Sequence, residues 1–97
     1  MGILGNIISA IKNLFEGPLS QDQMAVVLDK KVADSGERLD WRNSIVDLMK
    51  AAGMDSSLQA RTSLATELGF SGKFTGTAQQ NEWLHQQVMN KLSQTMR

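Results

Sequence analysis

His85 is the side chain that could most readily perform acid–base or metal chemistry, and Glu82 lies three residues before it. On a helix this spacing would place the two side chains on neighbouring turns, as a general base or a metal ligand with its partner would require. The sequence contains one His and no Cys, a set from which a zinc site or a Ser–His triad is hard to assemble. We therefore expect His85 to pack at the edge of an apolar stripe and to make one hydrogen bond. We predict that the protein is not an enzyme and has no catalytic residue, no metal ligand and no cofactor. The alternative is a small hydrolase or binding enzyme whose site combines His85, Glu82 and a loop at Lys73.

The acidic side chains are spread along the chain, and several have local structural roles. Asp40 and Asp55 precede predicted helices, where a carboxylate can accept hydrogen bonds from backbone N–H groups that lack a partner within the helix. Asp34 lies four residues from both Lys30 and Arg38, the spacing of ion pairs on a helix. Nothing in the spacing requires two carboxylates to converge on a pocket, as a catalytic pair must. We predict solvated or capping roles for them and no small-molecule ligand.

The segment 69–76 is rich in glycine and contains a Gly-Lys pair, which invites comparison with a phosphate-binding loop. Such a loop needs Ser or Thr after the lysine and a strand before the glycines. Phe74 stands in the Ser/Thr position, and no strand is predicted before the segment. Nucleotide binding is therefore not predicted.

Residues 64–71 are similar to the first helix and turn of a helix-turn-helix DNA-binding unit. The helix that should follow is interrupted by Gly72 and Gly76, and Lys73 is its single candidate cation. Ten Lys and Arg residues balance ten Asp and Glu residues, so the formal net charge is zero, whereas nucleic-acid binders concentrate basic residues on one face. Nucleic acid is not among the predicted partners, and DNA binding is kept as an alternative with less support.

Five stretches with apolar residues at helical spacing must position these side chains. No stretch alternates with a period of two, and β-branched residues are not clustered, so no sheet is expected. The pattern predicts an all-α protein, a compact bundle of about five helices joined by short turns that are capped by glycine. The 97 residues suit one small domain. We divide it into an N-terminal amphipathic helix at 1–16, a hinge or linker at 17–23 and a helical domain at 24–97.

Local signals predict where the helices begin and end. The first helix stops at Gly17-Pro18, and the second opens at Ser20 or Asp22 and closes at Gly36. The third runs from Trp41 to Ala52, with Asp40 as its N-cap. Capping boxes open the last two helices, at Ser56/Gln59 for the fourth and at Thr77/Gln80 for the fifth. Gly53 followed by Met54, and Gly69 followed by Phe70, predict Schellman endings in which the apolar residue packs back onto the last turn, near Leu48 or Met49 and near Leu64 or Ala65. The predicted core consists of Trp41, Ile45, Leu48, Leu64, Leu68, Trp83, Leu84 and Val88.

Several ordered runs carry a resemblance to a known family. They are residues 41–50, 55–58 with Arg61, 64–65, 67–69, 83–85, 87–89 and 91–92. The chain resembles, over roughly residues 24–92, the bacterial family known as domain of unknown function 3597. The resemblance implies five helices with a flexible connection between the first and the second, and it implies no activity. The connection in this sequence, about residues 17–20, is shorter than in relatives.

The first helix offers the strongest indication of function. Its seven large apolar residues fall on one stripe: Ile3, Leu4, Ile7, Ile8, Ile11, Leu14 and Phe15. A stripe of this kind covers well over about 400 Å², which is large for a surface exposed to water. It can pack on its own bundle, enter a groove on a second copy or on another protein, or lie in a membrane interface. The single Lys12 on its polar face disfavours the membrane, because anionic lipid attracts clusters of positive charge.

These observations predict an uncharacterised small helical domain acting as a non-enzymatic protein-interaction or structural module. Its N-terminal helix is expected to dock on the bundle of its own chain, on a second copy or on a protein partner. The alternative is a module that associates with a membrane surface through the same helix. No stretch approaches the roughly 20 apolar residues of a membrane span, and no signal peptide is recognised, so a cytoplasmic location is predicted.

Overall fold

The computed structural model describes residues 2–13 and 20–95 and contains five α-helices in that part of the chain. They are α1 (Ile3–Asn13), α2 (Gln21–Ser35), α3 (Ile45–Ala51), α4 (Leu58–Glu67) and α5 (Ala78–Thr95). The described residues contain no strand. The predicted all-α bundle of about five helices is confirmed. Residues 21–23, part of the predicted hinge 17–23, lie in α2.

Two helices, α2 and α5, begin at capping boxes. The box at Thr77 and Gln80 was predicted, whereas for α2 the prediction was only a start at Ser20 or Asp22. The Ser20 hydroxyl accepts from the Gln23 backbone N–H at 3.2 Å, while the Gln23 side chain accepts from the Ser20 N–H at 2.9 Å. Thr77 and Gln80 make the same reciprocal pair before α5, at 3.2 and 3.3 Å. Each box supplies acceptors for N–H groups that the first turn of a helix leaves without a partner.

The predicted Schellman endings are also present. The Met54 N–H donates to the Met49 carbonyl at 2.8 Å, and the Phe70 N–H donates to the Ala65 carbonyl at 2.9 Å. Gly53 and Gly69 both have positive φ, the left-handed conformation that this ending requires. Met54 and Phe70 are half-buried and pack against the core.

The start of α3 differs from the prediction. The helix begins at Ile45 with Ser44 as its N-cap, because the Ser44 hydroxyl accepts from the Asp47 N–H at 3.2 Å. Residues 41–43 form a separate turn, closed by a hydrogen bond from the Ser44 N–H to the Asp40 carbonyl. Asp40 is therefore not the N-cap of α3, since Ser44 adopts an extended backbone that interrupts the helix one turn later.

The start of α4 is displaced by one residue from the predicted box at Ser56. Ser57 is the N-cap, and its hydroxyl accepts from the Ala60 N–H at 3.2 Å. The Asp55 carboxylate accepts from both the N–H and the hydroxyl of Ser57, at 2.9 Å each. Asp55 thus stabilises the cap, as expected of an acidic residue before a helix.

The core contains most of the predicted residues. Trp41, Ile45, Leu48, Leu64, Leu84 and Val88 are buried, whereas Leu68 and Trp83 are half-buried and pack against the same cluster. The Trp83 ring meets the Phe70 ring edge-on, with centroids 5.1 Å apart. Phe74 lies in the predicted loop 71–76 but is only 6% exposed, and it meets the edge of Phe70 at 5.4 Å. The loop therefore contributes a side chain to the core.

Candidate functional site

The apolar stripe of α1 faces the body of the protein. Ile7 and Ile11 are fully buried, and Ile3, Leu4 and Ile8 are half-buried against the core. Leu14 and Phe15, the other two predicted interaction residues, lie outside the described part of the chain. Burying each isoleucine contributes about 1.5–3 kcal/mol. Since an isolated helix of eleven residues is marginal in water, the helical state of α1 depends on this packing.

The surface that receives α1 is formed by α4 and α2, the two helices that α1 contacts most closely. We call it the helix-1 groove. Both helices turn buried apolar residues towards the core: Met24, Val27 and Leu28 on α2, and Leu64 and Ala65 on α4. In the helix-1 groove, α1 contacts α4, which begins more than forty residues after α1 ends. No local spacing in the sequence could identify it.

Glu67, the last residue of α4, caps the first turn of α1. Its carboxylate accepts from the Ile3 N–H at 2.6 Å and from the Leu4 N–H at 3.4 Å. A negative charge at a helix N-terminus is favoured by the helix dipole and by the N–H groups that have no partner there. A Cβ at Gly2 would collide with this carboxylate, so glycine permits the approach. Sequence reasoning missed Glu67, because it lies 64 residues from Ile3.

His85 is buried and makes a structural hydrogen bond. It is 6% exposed, and its Nε2 lies 2.8 Å from the Trp41 carbonyl oxygen. Because a carbonyl can only accept, Nε2 carries the proton and donates. The expectation that His85 packs and makes one hydrogen bond is confirmed. An open recess of about 390 Å³ borders the imidazole, and neither Glu82 nor Lys73 lines it.

A second cluster joins α2 to the turn before α3. The Asp29 carboxylate accepts from the Trp41 indole N–H at 2.9 Å and from two nitrogens of Arg42 at 2.9 and 3.0 Å. The Arg42 guanidinium also lies over the Trp41 ring, 4.3 Å from its centroid. Together with His85 we call these residues the Trp41 cluster. Sequence reasoning assigned Asp29 a solvated or capping role. Trp41 lies twelve positions further along the chain, and the helix end between them breaks any periodic signal.

The electrostatics of the Trp41 cluster stabilise the ionised carboxylate. The hydrogen bonds from Arg42, and then that from Trp41, lower the pKa of Asp29 below its ordinary value of 3.8. The Asp29 partner in turn raises the pKa of Arg42. Both side chains are 53% exposed, so solvent screens the pair and its contribution to stability is modest. The predicted ion pairs of Asp34 with Lys30 and Arg38 do not form. Among the described residues, the side chains that form an ion pair are Arg42 and Asp29.

The glycine-rich loop uses its polar groups internally. The Gln80 side-chain oxygen accepts from the Thr75 N–H at 2.8 Å and from the Thr77 N–H at 3.3 Å, while its nitrogen donates to the Lys73 carbonyl at 3.2 Å. These contacts hold the loop closed around Gln80 instead of directing its N–H groups towards a phosphate. The described residues contain no group of three His, Asp or Glu side chains that could hold a metal ion.

No helix in the described ranges, α1 included, is long and apolar enough to cross a membrane. In the structure, the apolar stripe holds α1 in the helix-1 groove. The surface that receives α1 carries buried apolar side chains, and the Glu67 carboxylate accepts from the first turn of α1.

The sequence of the chain matches a known family. The family described as "Domain of unknown function (DUF3597)" matches residues 4–96, a range that includes all of α1 except Ile3. The chain is also similar to the solution structure of a conserved unknown protein from Rhodopseudomonas palustris, with 40% identity and a TM-score of 0.76 over 99% of this chain and 93% of that one. No curated protein matches the chain significantly.

Proposed function

The chain belongs to the family described as domain of unknown function 3597, and we propose that it is a non-enzymatic interaction module that binds one amphipathic helix in the helix-1 groove. Its own α1 fills the groove at rest, and the α1 of a second copy or a similar helix of a partner protein can replace it. The observation that carries the proposal is the complete burial of Ile7 and Ile11, two residues of α1, where α1 packs on α2 and α4. The cytoplasmic location predicted from the sequence forms part of the proposal.

The contacts of α1 suit an exchangeable helix. Ile7 and Ile11 lie one turn apart, so any amphipathic helix with apolar residues at positions i and i+4 can present the same two anchors. The polar contacts of α1 with the other helices, within the described residues, are those to the exposed Glu67 carboxylate. A backbone N–H is common to every helix, so this cap does not depend on the sequence of the occupant.

The polar groups that could serve an enzyme have structural partners instead. His85 donates to the Trp41 carbonyl, and Asp29 accepts from Trp41 and Arg42. Glu82 and Lys73, the other members of the alternative hydrolase site, do not line the recess at His85. A catalytic site needs such groups to converge on a shared space. Their separation supports a binding role over an enzymatic one.

The test uses the full chain with α1 unable to dock. In a variant carrying Ile7→Asp and Ile11→Asp, docking would bury two unpaired carboxylates, so α1 should leave the groove. A fluorescent peptide of residues 1–16 with the natural sequence should bind this variant at least about tenfold more tightly than it binds the natural chain. The natural groove is filled by a tethered helix whose effective concentration is on the order of millimolar. Fluorescence anisotropy measures both affinities.

Two controls match this experiment. Ser9→Asp adds a carboxylate on the exposed face of α1 and should leave peptide binding as weak as in the natural chain. A peptide carrying Ile7→Asp should not bind either protein. Circular dichroism and hydrogen exchange establish that α2–α5 stay folded in the double variant, and Ile7→Ala replaces it if they do not.

A folded double variant that leaves the natural peptide unbound would contradict the proposal. Lipid vesicles added to the same peptide test the membrane alternative. A peptide that partitions onto vesicles and ignores the folded variant would favour a module that lies on a membrane surface.

A further inference from the structure

We infer that the occupant best suited to the helix-1 groove, beyond the chain's own α1, is the α1 of a second copy, and that two copies exchange α1 around a two-fold contact between their α2 helices. The inference rests on the proposed function, because it needs a groove that accepts α1 from another chain. An exchanged α1 would bury the same Ile7 and Ile11 and would be capped by the Glu67 of the receiving copy. Since exchange preserves these contacts, the connection and the new surface between the copies decide the balance.

The connection restricts where two exchanging copies can meet. Residues 14–19 join Asn13, the last residue of α1, to Ser20, the N-cap of α2. Six residues span about 20 Å at full extension. A second copy must therefore bring its groove close to the start of α2 in the first copy, and by symmetry the reverse must also hold. The surface at the start of α2 becomes the place where the two copies face each other.

An apolar side chain lies at that place. Val26 is 69% exposed, more than any other large hydrophobic residue in the described part of the chain. It comes six residues after Ser20, which is about 9 Å along the helix axis. A residue close to a two-fold axis meets its own copy. Two Val26 side chains in contact would remove from water the apolar surface that a single chain leaves exposed.

The charges around Val26 are arranged for antiparallel pairing. Asp22 precedes Val26 by four residues and Lys30 follows it by four, so all three lie on one exposed face of α2. When two α2 helices pack antiparallel about Val26, Asp22 of each copy lies opposite Lys30 of the other. The same contact is made twice, which is what a two-fold interface requires. Neither Asp22 nor Lys30 has an ion-pair partner within a single chain in the described residues.

The long-range electrostatics permit this approach. The formal net charge of the chain is zero, so two copies do not repel each other at a distance. Complementary charges at a contact fix the register and raise the association rate more than they raise affinity. The Asp22–Lys30 arrangement would therefore select the antiparallel orientation of two α2 helices, while Val26 and the exchanged α1 supply the apolar contact.

The experiment begins with the natural full chain, unfolded in denaturant and refolded at low and at high protein concentration. Sedimentation velocity should show a monomer after dilute refolding and a dimer as the concentration approaches the roughly millimolar effective concentration of the tethered helix. Chains with different isotope labels are mixed before refolding. The dimer should then show nuclear Overhauser effects between α1 of one copy and α4 of the other.

Charge variants test the register. Lys30→Glu should weaken dimer formation by about tenfold at low salt, because Glu at position 30 would face Asp22 of the other copy. The double variant with Asp22→Lys and Lys30→Glu should restore it, and its net charge equals that of the natural chain. Val26→Asp should weaken the dimer by about tenfold or more. Gln79→Asp, which adds the same charge to an exposed site on α5, should leave it unchanged.

Three results would overturn the inference: a monomer at every concentration, a dimer whose α1–α4 contacts stay within one chain, or a double charge variant no better than Lys30→Glu alone. The peptide experiment separates this failure from that of the proposed function. If peptide 1–16 binds the Ile7→Asp/Ile11→Asp chain while the natural chain never exchanges, the groove accepts a helix but the partner is not a second copy. If the peptide does not bind, the groove itself is at fault.

Discussion

The junction between α1 and its groove and the junction at the Trp41 cluster hold the same body together by different means. At the Trp41 cluster, hydrogen bonds from the indole, the guanidinium and the imidazole fix α2, the turn before α3 and α5 in one geometry. At the α1 junction, buried isoleucines supply the stabilisation and the Glu67 carboxylate supplies the cap. Hydrogen bonds are directional, whereas apolar contact is not.

This difference leads us to expect that the two junctions differ in how readily they can change partners. Separating the Trp41 cluster would leave a buried carbonyl without its donor and a half-buried indole N–H without its acceptor, which is costly. Moving α1 from its own groove to an identical one exposes nothing in the final state. We therefore expect the Trp41 cluster to behave as the fixed frame and α1 as the exchangeable element.

Trp41→Ala should have the largest effect, because it removes a buried ring and the donor to Asp29 together. We expect the free energy of unfolding to fall by about 3–5 kcal/mol, a large share of the stability of a small domain. Urea unfolding measures it. Trp41→Phe keeps an aromatic ring and should cost less. A loss below about 1 kcal/mol for Trp41→Ala would show that the cluster is not the frame of the fold.

Ile7→Ala should rank second, with a loss of about 2–4 kcal/mol that is concentrated at α1. Native-state hydrogen exchange should show faster exchange in α1 and in the groove, whereas Trp41→Ala should accelerate exchange in every helix. Ile8→Ala, at a half-buried position, is the matched control and should have a smaller effect. If Ile7→Ala accelerates α3 and α5 as strongly as α1, the two junctions form one cooperative unit and the contrast between them is lost.

Glu67→Ala should lower stability by about 1 kcal/mol, since it removes the acceptor for the first turn of α1. Glu67→Gln should cost less, because an amide oxygen still accepts but the favourable charge at the helix N-terminus is gone. The exchange of the Ile3 and Leu4 amides reports the cap directly. Glu82→Ala removes another exposed carboxylate and should change neither quantity. Equal effects of the changes at Glu67 and Glu82 would remove the cap from the account of α1 docking.

Asp29→Asn should have the smallest effect and a defined pH dependence. The pKa of Asp29 is lower in the folded chain than its ordinary 3.8, so its ionisation stabilises the fold above that pH. The stabilisation is lost as the pH falls through the lowered folded value. At neutral pH the variant should be less stable by under about 1 kcal/mol, because solvent screens the exposed pair with Arg42. Urea unfolding at a series of pH values should show the difference vanish in acid, and a difference that grows in acid would contradict the assignment.

The sequence was informative wherever a structural decision was local. The capping box at Thr77 and the Schellman endings at Gly53 and Gly69 depend on residues a few positions apart and were predicted. The start of α2 was predicted at Ser20 or Asp22, and Ser20 is its N-cap. The predicted start of α3 was wrong, and the reason is also local. Asp40 and Ser44 are both good N-caps, and sequence alone does not say which of two nearby caps opens the helix.

The sequence by itself determined that the chain is helical, where most helices begin and end, and that α1 carries an apolar stripe. Only the tertiary structure decided what the stripe faces, that Glu67 caps α1, that Phe74 leaves its loop for the core, and that Asp29 joins Trp41 and Arg42. The physical reason is range. Helix periodicity and caps arise from contacts within a few residues, whereas these contacts join positions that are separated along the chain by helix ends and turns, and they form only when the helices pack.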